Sequence, residues 1–369
     1  MKTTPYTTHE TTIACTPEDL TPAWFTDMLR SARRITNSTV ESVDTNMVGT
    51  GQLGSLLRAT LSYDAPEPDA PHSVIVKLAS VDEGSRALGV RVGAYEAEVQ
   101  FYRQIAPSLQ MALPRCDYAA FDAQHGWTTL VLADLSDRSE PGDVLKAGTV
   151  DQAAAALQEL VGLQAPRWND PDLVGEQWLN HNRTIALFDE VPGQASAVLE
   201  RFGEHLEREQ VSLIERIAPL APKWVRGWEG PRVVLHGDYR LDNMLLGTTP
   251  DSPRITVVDW QTVKLGPPTI DASYYLGVCL PVELRRRHEQ DLIADYHAQV
   301  VAAGIGNWSW DDCWREYRTQ SIYGLYMALV FAAQVKQTAR GDAMLAMATR
   351  CYADLALDHD AAKLLEQQL

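Results

Sequence analysis

Between Val234 and Leu246 the chain reads VLHGDYRLDNMLL, two apolar, strand-like ends around a polar loop that sets Asp238 and Asn243 five positions apart. Sixteen residues beyond Asn243, in Val257-Val258-Asp259-Trp260, a second carboxylate ends another apolar run. Phosphoryl transfer needs such a set. One carboxylate orients the attacking hydroxyl and accepts its proton, while an amide oxygen and a second carboxylate hold the magnesium that bridges the phosphates.

Two upstream features stand in the order that this chemistry requires. Gly49-Thr50-Gly51-Gln52-Leu53-Gly54 is a glycine-rich loop. A dinucleotide-binding version would open a helix, whereas SLLRATLSY (55–63) reads as a strand. Strand, glycine loop and strand is the arrangement that folds over ATP phosphates; the competing reading is a plain hairpin turn. Lys77 follows Gly54 by 23 residues, in the β-branched run SVIVKLA (73–79). It suits a phosphate ligand held by a carboxylate, the competing reading being an edge lysine reaching for solvent. Residues 93–105, GAYEAEVQFYRQI, have helical spacing. Glu98 lies three and four positions from Tyr95 and Tyr102, so it shares their inward face and is the expected partner of Lys77, with Glu96 as runner-up.

The length of 369 residues suits two lobes. A helical lead-in (Pro17 to Ala32) and a strand-rich stretch, with further strands near Cys116–Phe121 and Thr128–Leu132, precede a change of character at about residue 135. Helices are then expected at 150–164, 194–219, 282–303 and 311–336, interrupted by a strand-like island at 231–261. The outline is α+β, a β-rich lobe over 1–134 and a larger helical lobe over 135–369. The net charge of −17 disfavours nucleic acid and anionic membranes as partners. Five scattered cysteines without a CxxC exclude a zinc or disulfide framework and point to a reducing cytoplasm. The longest uncharged apolar stretch, Ile322 to Ala333, falls short of the roughly 20 residues that span a bilayer.

HGDYRLDN with VVDW resembles the aminoglycoside phosphotransferase and choline kinase-like superfamily of small-molecule kinases, closest to its ecdysteroid-kinase-like branch. YEAEVQFYRQIAP, LVLADLSD (130–137), QAPRWND (164–170) and GPPTIDASYYLG (266–277) carry the resemblance further. It spans about residues 43 to 277. The chain departs from the family at Gln164-Ala165, often HA there, and at Ala133, often acidic.

The resemblance implies a two-lobed, protein-kinase-like fold and ATP- and magnesium-dependent phosphorylation of a small-molecule hydroxyl. The first lobe would hold the glycine loop and the lysine, and the second the catalytic loop, metal site and acceptor cleft. Asp238 would be the hydroxyl-orienting base, and Arg240 either a contact to the transferred phosphate or a surface arginine. Gly49, Gly51, Gly54, Lys77 and Glu98 would serve the nucleotide, and Asn243 and Asp259 the magnesium. His236 would pack under the loop, Asp271 would accept from its backbone, and Asp242 would be solvated. A protein kinase needs a long activation segment, for which the seven residues between Asp259 and Pro267 leave no room. A pseudokinase would have lost one of the groups present here. Trp308, Trp310, Trp314, Tyr323, Tyr326 and Met327 suggest an acceptor of apolar or mixed polarity, a sterol, macrolide or hydroxyacyl type, over an aminoglycoside or choline type. Arg285, Arg286 and Arg287, interleaved with acidic residues, read as a solvated face.

Overall fold

The computed structural model describes residues 12–50, 53–179, 181–334 and 338–368. The architecture is α+β, and the chain separates into two compact units. The first takes Met1–Ser108, Leu113–Ser139 and the short return Val258–Thr262; the second takes Leu109–Ala112, Glu140–Val257 and Val263–Leu369. The switch at 139/140 falls five residues after the expected boundary, and Asp259 belongs to the first unit.

In the first unit, helix α1 (Pro22–Ser31) precedes five antiparallel strands: β1 (Val40–Thr50), β2 (Gly54–Tyr63), β3 (Ser73–Ala79), β4 (Cys116–Asp122) and β5 (Trp127–Ala133). Their order is β1-β2-β3-β5-β4. Thr21 caps α1 through its side chain, and Pro22 follows at the first helical position, where its missing N–H costs nothing. The expected single lead-in helix is broken by this cap and by a 3₁₀ turn at Pro17–Asp19. Strand period sorts β3: Val74, Val76 and Leu78 bury into a core with Trp24, Phe25, Met28 and Leu29 of α1. Lys77 therefore points from the opposite face. Two helices separate β3 from β4: α2 (Glu83–Arg91), which the sequence reading missed, and α3 (Ala94–Gln100), which widens into a π-helical turn over Phe101–Ile105.

The second unit is mostly helical: α4 (Val150–Gln164), α5 (His181–Phe202), α6 (Arg208–Ile217), α7 (Ile270–Cys279), α8 (Val282–Ala302), α9 (Trp310–Gln320), α10 (Tyr323–Gln334), α11 (Ala339–Asp358) and α12 (Ala361–Gln368). The expected helix 194–219 is two helices, and 311–336 breaks at Ser321-Ile322. Two small sheets, one of two strands and one of three that also takes Ser139–Pro141, carry the expected strand island. Strand β6 (Val233–Leu235) pairs with β9 (Lys264–Gly266), and β7 (Met244–Gly247) with β8 (Ile255–Val257). Residues 236–243 run between them.

All ten residues of α7 are buried. At its start, Glu316 of α9 accepts from the Thr269 backbone N–H (3.0 Å) and hydroxyl (2.9 Å). Burial pushes the Glu316 carboxyl up to about 7. The folded chain thus keeps a proton that the unfolded chain has lost above its ordinary value of 4.5. Stability therefore falls as pH rises through that window. Glu316→Gln keeps an acceptor oxygen and removes the charge. We expect it to stabilise the protein by about 1–2 kcal/mol at pH 8 and by little at pH 4.5. Thermal unfolding at the two pH values checks this; an equal gain at both would reject it.

Two residues depart from expectation in this unit, and a third, Arg240, is settled between its two readings. Arg285 is fully buried, not solvated. It pairs with Glu289 at 2.9 Å and Asp358 at 2.5 Å, so its desolvation is compensated by two carboxylates. Asp242 accepts from the Val144 N–H (3.1 Å) and lies 3.6 Å from Arg340, which removes it from open solvent. Arg240 is no surface arginine, as described below.

Candidate active site

The first constellation belongs wholly to the first unit. Lys77 Nζ donates to both oxygens of Glu98 and to Asp259 Oδ1, each at 2.7 Å. Burial works against the ammonium, but Asp259 and Glu98 outweigh it and raise the lysine well above its ordinary pKa. The carboxylate that α3 turns inward is Glu98, as its spacing from Tyr95 and Tyr102 requires. Glu98 Oε1 also accepts from the Trp260 backbone N–H at 3.3 Å. The Trp260 ring stacks on Phe101, with centroids 3.7 Å apart and planes at 7°. That stack fixes the residue after Asp259, whose own φ of 68° is a left-handed conformation that Asp tolerates better than most residues. The Asp259 side chain keeps 41% exposure, so its carboxylate still meets solvent.

Of the glycine loop, Gly49 lies in β1 and Gly54 in β2, while Gly51 lies outside the described residues. Gly54 has a packing reason to be glycine: a Cβ there would sit 2.2 Å from the Leu78 carbonyl oxygen of the neighbouring strand.

The second constellation belongs wholly to the second unit. Asp271, on the first turn of α7, accepts from two consecutive backbone N–H groups, His236 (2.6 Å) and Gly237 (2.9 Å). Gly237 has a φ of 83°, which favours glycine. Burial raises the Asp271 carboxyl, with His236 and the two amides pulling the other way. His236 is buried beneath the loop, and its Nδ1 accepts from the Asp238 N–H at 3.3 Å. Cys279, at the far end of α7, accepts from the Leu241 N–H at 3.4 Å.

Both oxygens of Asp238 are engaged. Oδ1 accepts from the Tyr274 hydroxyl (2.9 Å) and lies 3.1 Å from Arg240 Nε. Oδ2 accepts from Asn243 Nδ2 (2.9 Å), which also donates to the Asp238 carbonyl (2.7 Å). Burial lowers the Arg240 guanidinium but Asp238 more than restores it, so its pKa is raised.

The sequence reading missed Tyr274 and Lys264. Tyr274 could have been found, because it follows Asp271 by three helical positions and so faces the same loop. Lys264 Nζ donates to the Tyr323 hydroxyl (3.1 Å), which donates to the Gly237 carbonyl (2.8 Å). Burial pushes the Lys264 ammonium down to about 8. No signal in the sequence links residues 264 and 323. Tyr323 therefore braces the loop, and Trp308, Tyr326 and Met327 are buried with it in the core of the unit. Of the six residues expected at an acceptor wall, Trp310 and Trp314 keep partial exposure and stack at 5.6 Å.

The donors fit magnesium, a hard cation that takes oxygen ligands and needs few from protein when phosphates supply the rest. Asn243 commits its amide nitrogen to Asp238, which leaves its side-chain oxygen for a cation. Asp259 supplies a solvent-reaching carboxylate. Among the described residues, no group of three or more His, Cys, Asp or Glu side chains could hold a metal, and no helix is long and apolar enough to cross a membrane.

A sequence model of the phosphotransferase enzyme family matches residues 85–310. No curated protein matches the chain. Solved structures do. Macrolide 2'-phosphotransferase MphH from Brachybacterium faecium is 17% identical, over 90% of this chain and 98% of its own, with a TM-score of 0.42. A microcompartment-associated aminopropanol kinase is 14% identical, over 88% and 95%, with a TM-score of 0.48. ADP-bound aminoglycoside phosphotransferase APH(2'')-Ib is 12% identical, over 86% and 95%, with a TM-score of 0.46.

Proposed function

Because the chain belongs to the phosphotransferase enzyme family, we propose that it moves the γ-phosphoryl group of ATP to a hydroxyl of a small molecule. The observation that carries this reading is the doubly anchored Asp238 carboxylate. Tyr274 and Asn243 hold it in one orientation, on a loop pinned by Asp271.

In the proposed reaction Asp238 accepts a hydrogen bond from the acceptor hydroxyl and takes its proton as the oxygen attacks the γ-phosphorus. The bond to the β,γ-bridging oxygen breaks and ADP leaves. Such transfers pass through a loose transition state, so positioning and charge stabilisation do most of the work. Lys77, oriented by Glu98, binds phosphate oxygens. Arg240, held 3.1 Å from Asp238, meets charge on the transferred group. Asn243 and Asp259 are the residues that would hold magnesium, which would supply positive charge to the phosphates. The acceptor is an alcohol of apolar or mixed polarity, a preference that now rests on Trp310 and Trp314 alone among the aromatic residues first considered.

A turnover screen of hydroxylated compounds with ATP tests the reaction, and calorimetry tests the metal assignment. Asp259→Ala removes one hard ligand, so magnesium is expected to tighten ATP binding in the wild type and no longer in the variant. Unchanged magnesium dependence would reject the role given to Asp259.

A further inference from the structure

A cavity of about 440 Å³ lies within the second unit, between the end of α5 and one face of α11. Its apolar surface comes from Phe202, Ala346 and Met347. Its polar surface is weighted toward cations: Arg201 and Arg350 against the single carboxylate of Asp342, with His205 at the side. On a chain of net charge −17 this balance is unusual.

The two arginines differ in kind. Arg201 is fixed in place. It donates to the Ala332 carbonyl (2.9 Å) and to Asp342, and its Cζ lies 4.8 Å from the centre of the Phe202 ring. Those two bonds use two of a guanidinium's five donors. Arg350 is exposed, and among the described residues no carboxylate lies within 4.0 Å of it. Asp342 is already paired with Arg201, so the cavity has nothing with which to neutralise an ammonium. It offers an anion one pre-set guanidinium and one that has no carboxylate partner and engages only the neighbouring Cys351 thiol, and guanidinium matches a carboxylate or phosphate through paired N–H donors.

The helix also gives the cavity a direction. Residues 343, 346, 347 and 350 recur at spacings of three and four, so they form one stripe along α11. The adjoining stripe meets the catalytic loop. Arg240 donates to Met344 Sδ at 2.9 Å, and Arg340 lies 3.6 Å from Asp242. From Arg350 to Ala343 the stripe runs about 10 Å toward the helix N-terminus. An extended apolar chain whose anion sits on Arg350 would thus lead along Ala346 and Met347 toward the level of Met344, and Arg240 beside it touches the Asp238 carboxylate.

We propose that this cavity binds the anionic end of the acceptor, and that the acceptor is an amphipathic molecule with its reactive hydroxyl separated from a carboxylate or phosphate by an extended apolar segment. The assignment as an acceptor subsite rests on the reading of the chain as an alcohol kinase.

Calorimetry with ω-hydroxydodecanoate, its primary amide and dodecyl phosphate tests the site without turnover. Arg350→Glu and Ala343→Trp both alter exposed positions, so neither disturbs the core. The hydroxy acid is expected to bind the wild type about tenfold more tightly than the amide. Arg350→Glu should erase that preference, and Ala343→Trp should weaken both ligands by narrowing the cavity. Displacement of the acid by dodecyl phosphate would show that the site reads charge and not carboxylate geometry; failure to displace it would confine the site to carboxylates. Equal binding of acid and amide, an unchanged preference in Arg350→Glu, or no binding of either probe would overturn the proposal. Release of ADP separates the two readings. Turnover of neutral or cationic alcohols that Arg350→Glu leaves untouched would refute the subsite and keep the reaction. Arg350-dependent binding without ADP release from any acceptor would do the reverse.

Discussion

Replacing Asp238 by alanine lowers turnover by about 10²–10⁴-fold and leaves nucleotide affinity within a few-fold. Asp238 is the carboxylate on which Tyr274, Asn243 and Arg240 converge, and no other carboxylate stands in that loop except Asp242, which faces Val144 and Arg340 instead. A water molecule filling the gap would lack the fixed orientation. Because Asp238 itself accepts the hydrogen bond of the acceptor hydroxyl, the variant is also expected to lose some affinity for the acceptor. Steady-state kinetics on any acceptor found in the screen, with calorimetry for ATP, checks both parts. Near-native turnover would remove Asp238 from the chemistry.

Lys77→Ala is expected to lower kcat/KM for ATP by about 10²-fold, the scale for losing one preorganised charge contact to a reacting group. It also leaves Glu98, which is 2% exposed, without its ammonium. Breaking a buried ion pair in this way costs about 3–5 kcal/mol. Glu98→Ala should be the milder kinetic defect, because Lys77 keeps its 2.7 Å contact to Asp259. The double variant, which removes both buried charges, should recover stability relative to Lys77→Ala alone. Urea unfolding of the four proteins measures this. If the double variant is no more stable than Lys77→Ala, the two groups are not coupled.

How much of this was legible in the sequence depended on range. Lys77 and Glu98 could be paired from spacing, because strand and helix periods fix which side chains share a face. The second constellation was half legible. Asp238, Asn243 and Asp271 lie in a motif dense enough to read. Tyr274 was within reach through its three-residue spacing from Asp271 but was passed over in a helix whose ten positions are all buried, and the Lys264–Tyr323 brace joins residues 59 positions apart. Arg285 was misread for a related reason: a triplet of arginines looks like a wet helix face, and only the fold brings Asp358 beside the first of them. Of the six aromatic and methionine residues of 308–327, Trp308, Tyr323, Tyr326 and Met327 pack the core and Trp310 and Trp314 keep partial exposure, a division that helical spacing cannot make because it does not distinguish a core from a wall. The break at Ser321-Ile322 went unseen because the one nearby glycine, Gly324, lies inside the second helix and does not mark the end of the first.

The loop that carries Asp238 has no independent scaffold. Its backbone hangs on Asp271 at one end of α7 and on Cys279 at the other, and every residue of that helix is enclosed. Such a helix opens only when the surrounding unit opens. Alignment of the base and cohesion of the unit are therefore one quantity. Warming cannot leave behind a folded but misaligned enzyme, and a mutation that loosens the interior far from the loop will lower turnover and stability together.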